Sequence, residues 1–383
     1  MIYNTAAEKG GKIMKFSCYK DDLNEAMLIL IKAVAVKPMT PILAGIYLKA
    51  ENSALELQAN NFSTGIIIRI PANVESSGEV VVSSGKRFQE FVRNMPDDTV
   101  TFSNEEGGTV LVIESGGASV ELMTMEVSDF PKVKTPETAR TFKILKRELG
   151  DLIRKTVFAA AKDESRPVFT GALFEVKGDK ISIVATNTHR LAFASKKLPE
   201  NYTDVSFVVP AETLRGLITK NSSDATENFV TVNCSLRYVT FTFDNVFVNS
   251  RLIEGLFPPY DKVIPESTVT HVMVDTAEFK RAVDFVALMS KDDEYNTVKF
   301  VFEGDGIAIS ANSGEFGNAV RKIAAEIDGE RLSISFNADY IADVLRVIDT
   351  KQTKIDLNDK FSPATFTEPG NDDFIYVATP VRA

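Results

Sequence analysis

Histidine and cysteine are scarce in this 383-residue chain, and that scarcity removes whole classes of chemistry. His189 and His271 are the only histidines, too few for a histidine-rich metal site, and Cys18 and Cys234 form no Cys-x-x-Cys pair. The two cysteines sit far apart in strand-like runs, which favours two buried thiols over a disulfide and fits a reducing cytoplasm. Long hydrophobic runs are missing too. The best, residues 26–36, is broken by Lys32 and is too short to cross a membrane. Residues 1–13 lack the apolar centre of a signal peptide and read as an extension ahead of the first patterned strand, at Met14-Lys15-Phe16.

Signatures of catalysis are absent as well. Gly78 and Gly85-Lys86 lack the spacing of a phosphate loop, and Arg87 stands where Ser or Thr is required. Neither Gly-x-Gly-x-x-Gly nor Gly-x-Ser-x-Gly occurs. The acid pairs Asp97-Asp98 and Asp292-Asp293 lie in turn-like segments and suit solvated caps better than metal ligands. No catalytic constellation assembles, so no enzyme, cofactor or metal site is expected. A formal net charge of −10 argues further against a protein that grips nucleic acid by bulk attraction.

What the chain does have is a threefold repeat at a spacing of 126 residues. Leu55-Glu56-Leu57-Gln58-Ala59-Asn60-Asn61 recurs as Ile181-Ser182-Ile183-Val184-Ala185-Thr186-Asn187 and again as Ile307-Ala308-Ile309-Ser310-Ala311-Asn312-Ser313. Each copy alternates apolar with polar and then turns, as a half-buried strand does. Two helices are expected in each copy. The first has core positions Leu23, Ala26, Met27, Leu30 and Ile31; then Leu149, Leu152, Ile153 and Val157; then Phe279, Ala282, Val283, Val286 and Ala287. The second has Phe88, Phe91, Val92 and Met95; then Leu214, Leu217 and Ile218; then Ile341, Val344, Leu345 and Ile348. Pro210 and Asn337 stand where helix starts are favoured. Short strands and polar turns fill the remainder, so the fold class is α+β, with helices packed on antiparallel sheets. Polar, proline-containing joints place the boundaries at 1–13 for the extension and 14–136, 137–265 and 266–383 for three modules.

Basic residues gather on two helix faces. Lys86 and Arg93 oppose Phe88, Phe91, Val92 and Met95, while Arg147 and Arg154, with Lys155 beside them, oppose Leu149, Leu152 and Ile153. Such a face is either simply solvated or turned toward a polyanion through weak, salt-sensitive contacts that carry no sequence information. His189, in Thr186-Asn187-Thr188-His189-Arg190-Leu191, is the most chemical-looking residue. It has no nucleophile near it in sequence and reads as a hydrogen-bonded structural histidine.

Ordered motifs then resemble one family. Met14-Lys15-Phe16, Lys37-Pro38-Met39-Thr40-Pro41-Ile42-Leu43, Ser128-Asp129-Phe130-Pro131, Ala185-Thr186-Asn187-Thr188-His189-Arg190-Leu191-Ala192, Arg251-Leu252-Ile253-Glu254-Gly255-Leu256-Phe257-Pro258-Pro259-Tyr260 and Tyr376-Val377-Ala378-Thr379-Pro380-Val381-Arg382 follow one another as in the bacterial sliding clamps, the beta subunits of DNA polymerase III. The resemblance implies a non-enzymatic, cytoplasmic head-to-tail homodimer, a closed ring that encircles duplex DNA without reading sequence. It would tether polymerase and so raise processivity. It implies DNA-facing positions at Lys37, Lys86, Arg87 and Arg93, and a subunit interface that sets Leu288 and Met289 against Val120 and Leu122 of the partner chain. It also implies a pocket for short motifs of the polymerase III alpha subunit, the clamp loader and other partners. Its walls would be Phe169, Thr186, His189, Arg190, Leu191, Pro258, Val263, Phe361, Pro363, Thr379, Pro380, Val381 and Arg382. Two rival readings are an enzyme centred on His189 and Arg190 and a three-module scaffold without a DNA role.

Overall fold

A computed structural model describes residues 14–104, 108–135, 137, 140–217, 228–291 and 296–381. Its contacts gather into two compact units, one of residues 14–146 with 228–252 and the other of 147–217 with 253–381. The 126-residue repeat is written in strands. Its copies fall on Ala54–Asn60, on the second half of Gly171–Thr186, and on Gly306–Ser313. In each, the apolar members of the alternation are buried.

The first unit is built on one antiparallel sheet of thirteen strands. The strand Thr64–Pro71 runs beside Ala54–Asn60 on one edge and beside Val246–Arg251 on the other, so ladder bonds bind residues of the first repeat to residues of the second. Helices α1 (Lys20–Leu30) and α2 (Gly85–Arg93) pack side by side. α1 buries Leu23, Ala26, Met27 and Leu30, and α2 buries Phe88 and Val92. Phe88 meets Phe102 edge-on at 6.2 Å, and Phe102 stacks on Phe16 at 4.7 Å. Each such ring, removed from water, contributes about 1.5–3 kcal/mol. Ser84 starts α2 by accepting the Arg87 N–H. Phe91 departs from the expected core: at 42% exposure it lies beside the buried stripe rather than in it.

The second unit holds a seven-stranded and a four-stranded antiparallel sheet. Its helices are α3 (Lys146–Thr156), α4 (Ala211–Leu217), α5 (Thr276–Ser290) and α6 (Ala338–Leu345), α4 beginning directly after Pro210. Asn337 caps α6 by accepting the Tyr340 N–H at 3.2 Å, and Asp275 caps α5 through the Glu278 N–H at 2.8 Å. The long strand Arg190–Pro210 pairs with Gly171–Thr186 and, through residues 190–194, with Asn371–Ala378. Cys18 and Cys234 are both free and buried.

Of the basic face expected on α3, only Arg147 stays exposed outside an ion pair among the described residues. The Arg154 guanidinium donates to Asp151 at 2.7 Å, to Asp349 at 2.5 Å and to the Val347 carbonyl at 3.1 Å. Lys155 is buried and donates to Glu368. Asp151 lies on α3 itself, but Asp349 and Glu368 come from outside the helix, where a helical projection of α3 cannot display them.

Candidate functional site

The second unit carries a groove of about 700 Å³. One wall begins at the turn that ends Gly171–Thr186. There Asn187 Oδ1 accepts the N–H groups of His189 (3.1 Å) and Arg190 (3.0 Å). Thr186 Oγ1 accepts the Thr188 N–H and donates to the Arg190 carbonyl. These bonds hold Thr188 at φ 76°, in the left-handed region that threonine seldom enters. From the far side of the turn, the Thr379 N–H and hydroxyl both donate to the His189 carbonyl at 2.9 Å.

The floor is apolar. Leu191, with Leu173, Val184, Val208 and Val377, forms a buried cluster against which Phe257, Tyr260 and Ile264 pack. Phe169 meets Phe257 edge-on at 6.0 Å, and Tyr260 stacks on Phe193 at the same distance. Tyr260 is tethered by its hydroxyl, which donates to Glu175 at 2.7 Å. Burial and the neighbouring Glu175 push that phenol well above the usual tyrosine range.

Of the expected pocket residues, Phe169, Thr186, Arg190, Leu191, Pro258, Val263, Pro363 and Thr379 line this one groove. His189 instead faces a neighbouring polar recess of about 770 Å³, with Asp339, Tyr340 and Asp343. Phe361 is 61% exposed beside the groove-lining Ser362. Pro380 and Val381 are not groove walls, and the Val381 N–H is bonded to the Ser335 carbonyl at 2.8 Å. Arg382 lies outside the described residues. Residues outside the expected pocket set complete the wall, chiefly Arg166, Ile264 and, from within the quoted motifs, Phe257, Tyr260 and Val377. The proline-rich run Phe257-Pro258-Pro259-Tyr260 was the available signal, because its rings cannot all be buried in a ladder that prolines interrupt.

Arg190 is a wall held from behind. Its guanidinium donates to Asp343 at 2.7 Å and to the Phe158 carbonyl at 2.6 Å, and lies 4.5 Å from the Tyr340 ring centre. Its Nε has no partner among the described residues. Burial works against its charge, but Tyr376 and Asp343 outweigh that and hold it more firmly protonated than usual. Neither it nor His189 belongs to a metal-binding cluster among the described residues.

Lys37, Lys86, Arg87 and Arg93 are all exposed in the first unit, and none is in an ion pair among the described residues. Val120 and Leu122 share one face of the strand Ala118–Met125, where Val120 is half-buried and Leu122 only 8% exposed. Met123, on the opposite face, is 60% exposed. On α5 of the second unit, Leu288 is exposed and Met289 half-buried, and Phe285 is exposed as well. Each unit leaves a strand edge open among the described residues. Ala118–Met125 pairs with its inner neighbour only through Thr124 and Met125, and Gly317–Ala324 pairs on one side only.

Three family models match in tandem: the DNA polymerase III beta subunit N-terminal domain over residues 14–134, its central domain over 143–259 and its C-terminal domain over 261–382. A beta sliding clamp from Bacillus subtilis is 30% identical over 381 residues, covering 96% of this chain and all of the relative. Among solved structures, the DNA polymerase III beta subunit of Thermotoga maritima superposes with a TM-score of 0.88 at 28% identity, over 97% of this chain and 100% of that one. A Pseudomonas aeruginosa sliding clamp, solved bound to griselimycin, gives 0.87 at 27% identity, over 98% and 100%. With all three domain models matched in order along nearly its whole length, the chain belongs to the DNA polymerase III beta subunit family, the beta sliding clamps.

Proposed function

We propose that the chain serves DNA replication in the cytoplasm as a sliding clamp, a non-enzymatic tether that two copies form by closing head to tail around duplex DNA. Each copy is read as three modules, 14–136, 137–265 and 266–383. The open edge at Ala118–Met125 of one copy would extend the sheet that ends at Gly317–Ala324 of the other, with Leu288, Met289 and Phe285 packing on the strand face that carries Val120 and Leu122. An open strand edge is a ready template for such pairing, and a heterologous contact used twice closes a ring. Lys37, Lys86, Arg87 and Arg93 would face the DNA. Their contacts would be few and sequence-independent, which suits a ring that must slide.

The groove around Leu191 would capture short motifs of the polymerase and clamp loader, and the observation that carries this is its apolar lining, in which half-buried Phe257, Tyr260 and Ile264 lie beside an exposed Val263. An apolar trough with a few polar rims takes Leu and Phe anchors of an extended peptide. Leu191 itself is 3% exposed, so an aspartate there would damage the core as well as the groove. Val263, 48% exposed, is the better probe. Fluorescence titration with a labelled Gln-Leu-x-Leu-Phe peptide should saturate with the wild type and weaken at least tenfold with Val263→Asp. Equal binding by both proteins would overturn the assignment of the groove.

A further inference from the structure

The turn that carries the groove has a twin 126 residues earlier. Asn61 Oδ1 accepts the N–H groups of Ser63 (3.1 Å) and Thr64 (2.8 Å), as Asn187 does for His189 and Arg190. Phe62 stands at φ 69°, as Thr188 stands at 76°. The Ser63 carbonyl accepts the Arg251 N–H at 2.8 Å, as the His189 carbonyl accepts that of Thr379. The ladders match as well, Ile66 pairing with Val248 where Ala192 pairs with Tyr376.

Beside this twin lies a second recess, of about 920 Å³, wholly within the first unit. Phe62, Pro131, Val133 and Arg251 line it; Phe62 stands where the groove has Thr188, Pro131 where it has Pro258 and Arg251 where it has Thr379. The frame is shared and the chemistry is not. The recess carries Lys132 and Lys134 just after its Phe130-Pro131 pair, where the groove continues from Phe257-Pro258 with Pro259 and Tyr260, and it has Arg251 where the groove has Thr379. Its one acidic wall residue, Glu79, is already taken by Lys132 at 3.2 Å and by the Tyr47 hydroxyl. Lys134 and Arg251 are exposed and in no ion pair among the described residues. The Phe62 ring is 63% exposed at the rim, and Asn249 in the wall has an Oδ1 without a donor among the described residues.

We propose that this recess is a second docking site, for an extended segment of a partner protein that carries an apolar anchor flanked by acidic residues. The anchor lies against Phe62, Pro131 and Val133, and the acids meet Lys134 and Arg251. Two basic groups without internal acids, on a chain whose net charge is −10, mark a locally positive spot that selects an acidic ligand. The proposal does not rest on the clamp role given above.

The test uses the full chain and fluorescein-labelled nine-residue peptides in which Leu-Phe is flanked either by Asp and Glu or by Lys. The acidic peptide should bind the wild type and Val263→Asp equally, and at least tenfold more weakly after Lys134→Glu with Arg251→Glu. Raising the salt should weaken it, and the lysine peptide should not bind. Loss of binding in Val263→Asp, binding indifferent to the charge reversals, or no saturable binding would each overturn the proposal. Self-association of the wild type that the reversals abolish would overturn it in favour of a second copy. Should the double variant melt early, Phe62→Asn takes its place, since asparagine tolerates the left-handed backbone there while removing the ring.

Discussion

Lys155 and Glu368, 213 positions apart in the chain, meet at 2.8 Å with side chains only 7% and 3% exposed. The Glu368 carboxylate also accepts the Asp349 N–H at 2.9 Å and the Asn371 side chain at 2.6 Å, so the buried charge is fully partnered. Removing one member strands the other. Glu368→Gln should destabilise the fold by about 3–5 kcal/mol, whereas Lys155→Met with Glu368→Leu should recover most of that loss. Urea midpoints of the three proteins decide it.

Acid should attack the same place. Burial alone would favour the neutral carboxyl of Glu368, but the bonds from Lys155, Asp349 and Asn371 outweigh it and hold the group below its ordinary 4.5. Asp151 is likewise held low: burial opposes its charge, and Arg154, Lys155 and Lys196 prevail. The unfolded chain therefore takes up protons first. The stabilisation is fully present above about pH 4.5 and is lost as pH falls through the lowered native values. A stability profile from pH 7 to 3 should drop in that range for the wild type and more shallowly for Glu368→Gln.

The turn at Asn187 offers a second structural test. Asn187→Ala removes the acceptor of two backbone N–H groups and a 3.2 Å bond to the Tyr340 hydroxyl. The expected cost is about 1–2 kcal/mol, with weakened binding of the Gln-Leu-x-Leu-Phe peptide because the Thr188 wall loses its shape. A variant of unchanged stability and affinity would mean that the Thr186 hydroxyl holds the turn alone.

Burial pushes the thiols of Cys18 and Cys234 up to about 12 and about 11, the former with help from Asp22. Thiolate is the reactive form, so a disulfide reagent at pH 8 should modify the native protein slowly and both cysteines quickly in urea.

Charge reversal at Lys86 and Arg93, both exposed on α2, should leave the melting temperature unchanged. If both face phosphates, the log–log salt slope of DNA binding should fall by about 0.9 for each contact removed. An unaltered slope would take these two residues out of the DNA-facing set.

How far the sequence foretold this depended on the range of the interaction. The repeat strands, the buried faces of α1 and α5 and the Asn337 cap are local patterns, set by periods of two and 3.6 residues, and they stand where the spacing put them, except that Ile31, past the end of α1, and Ala287 are only half-buried. Arg154 and Lys155 look solvated on a helical wheel because the acids that claim them, Asp349 and Glu368, arrive from distant segments. The groove walls Phe257, Tyr260 and Ile264 belong to an irregular stretch with no period to read. Leu122 and Met123 are both apolar, and only the pairing of their strand shows that the first points inward.

The ladder between Thr64–Pro71 and Val246–Arg251 has a further consequence. A fragment ending near residue 135 would shed the strand that covers Ile66 and Ile68, and would present a raw, isoleucine-rich border to solvent. Such borders seed aggregation. The repeats are thus spliced at the level of the main chain, and excising one of them amounts to tearing a woven edge rather than unclipping a bead.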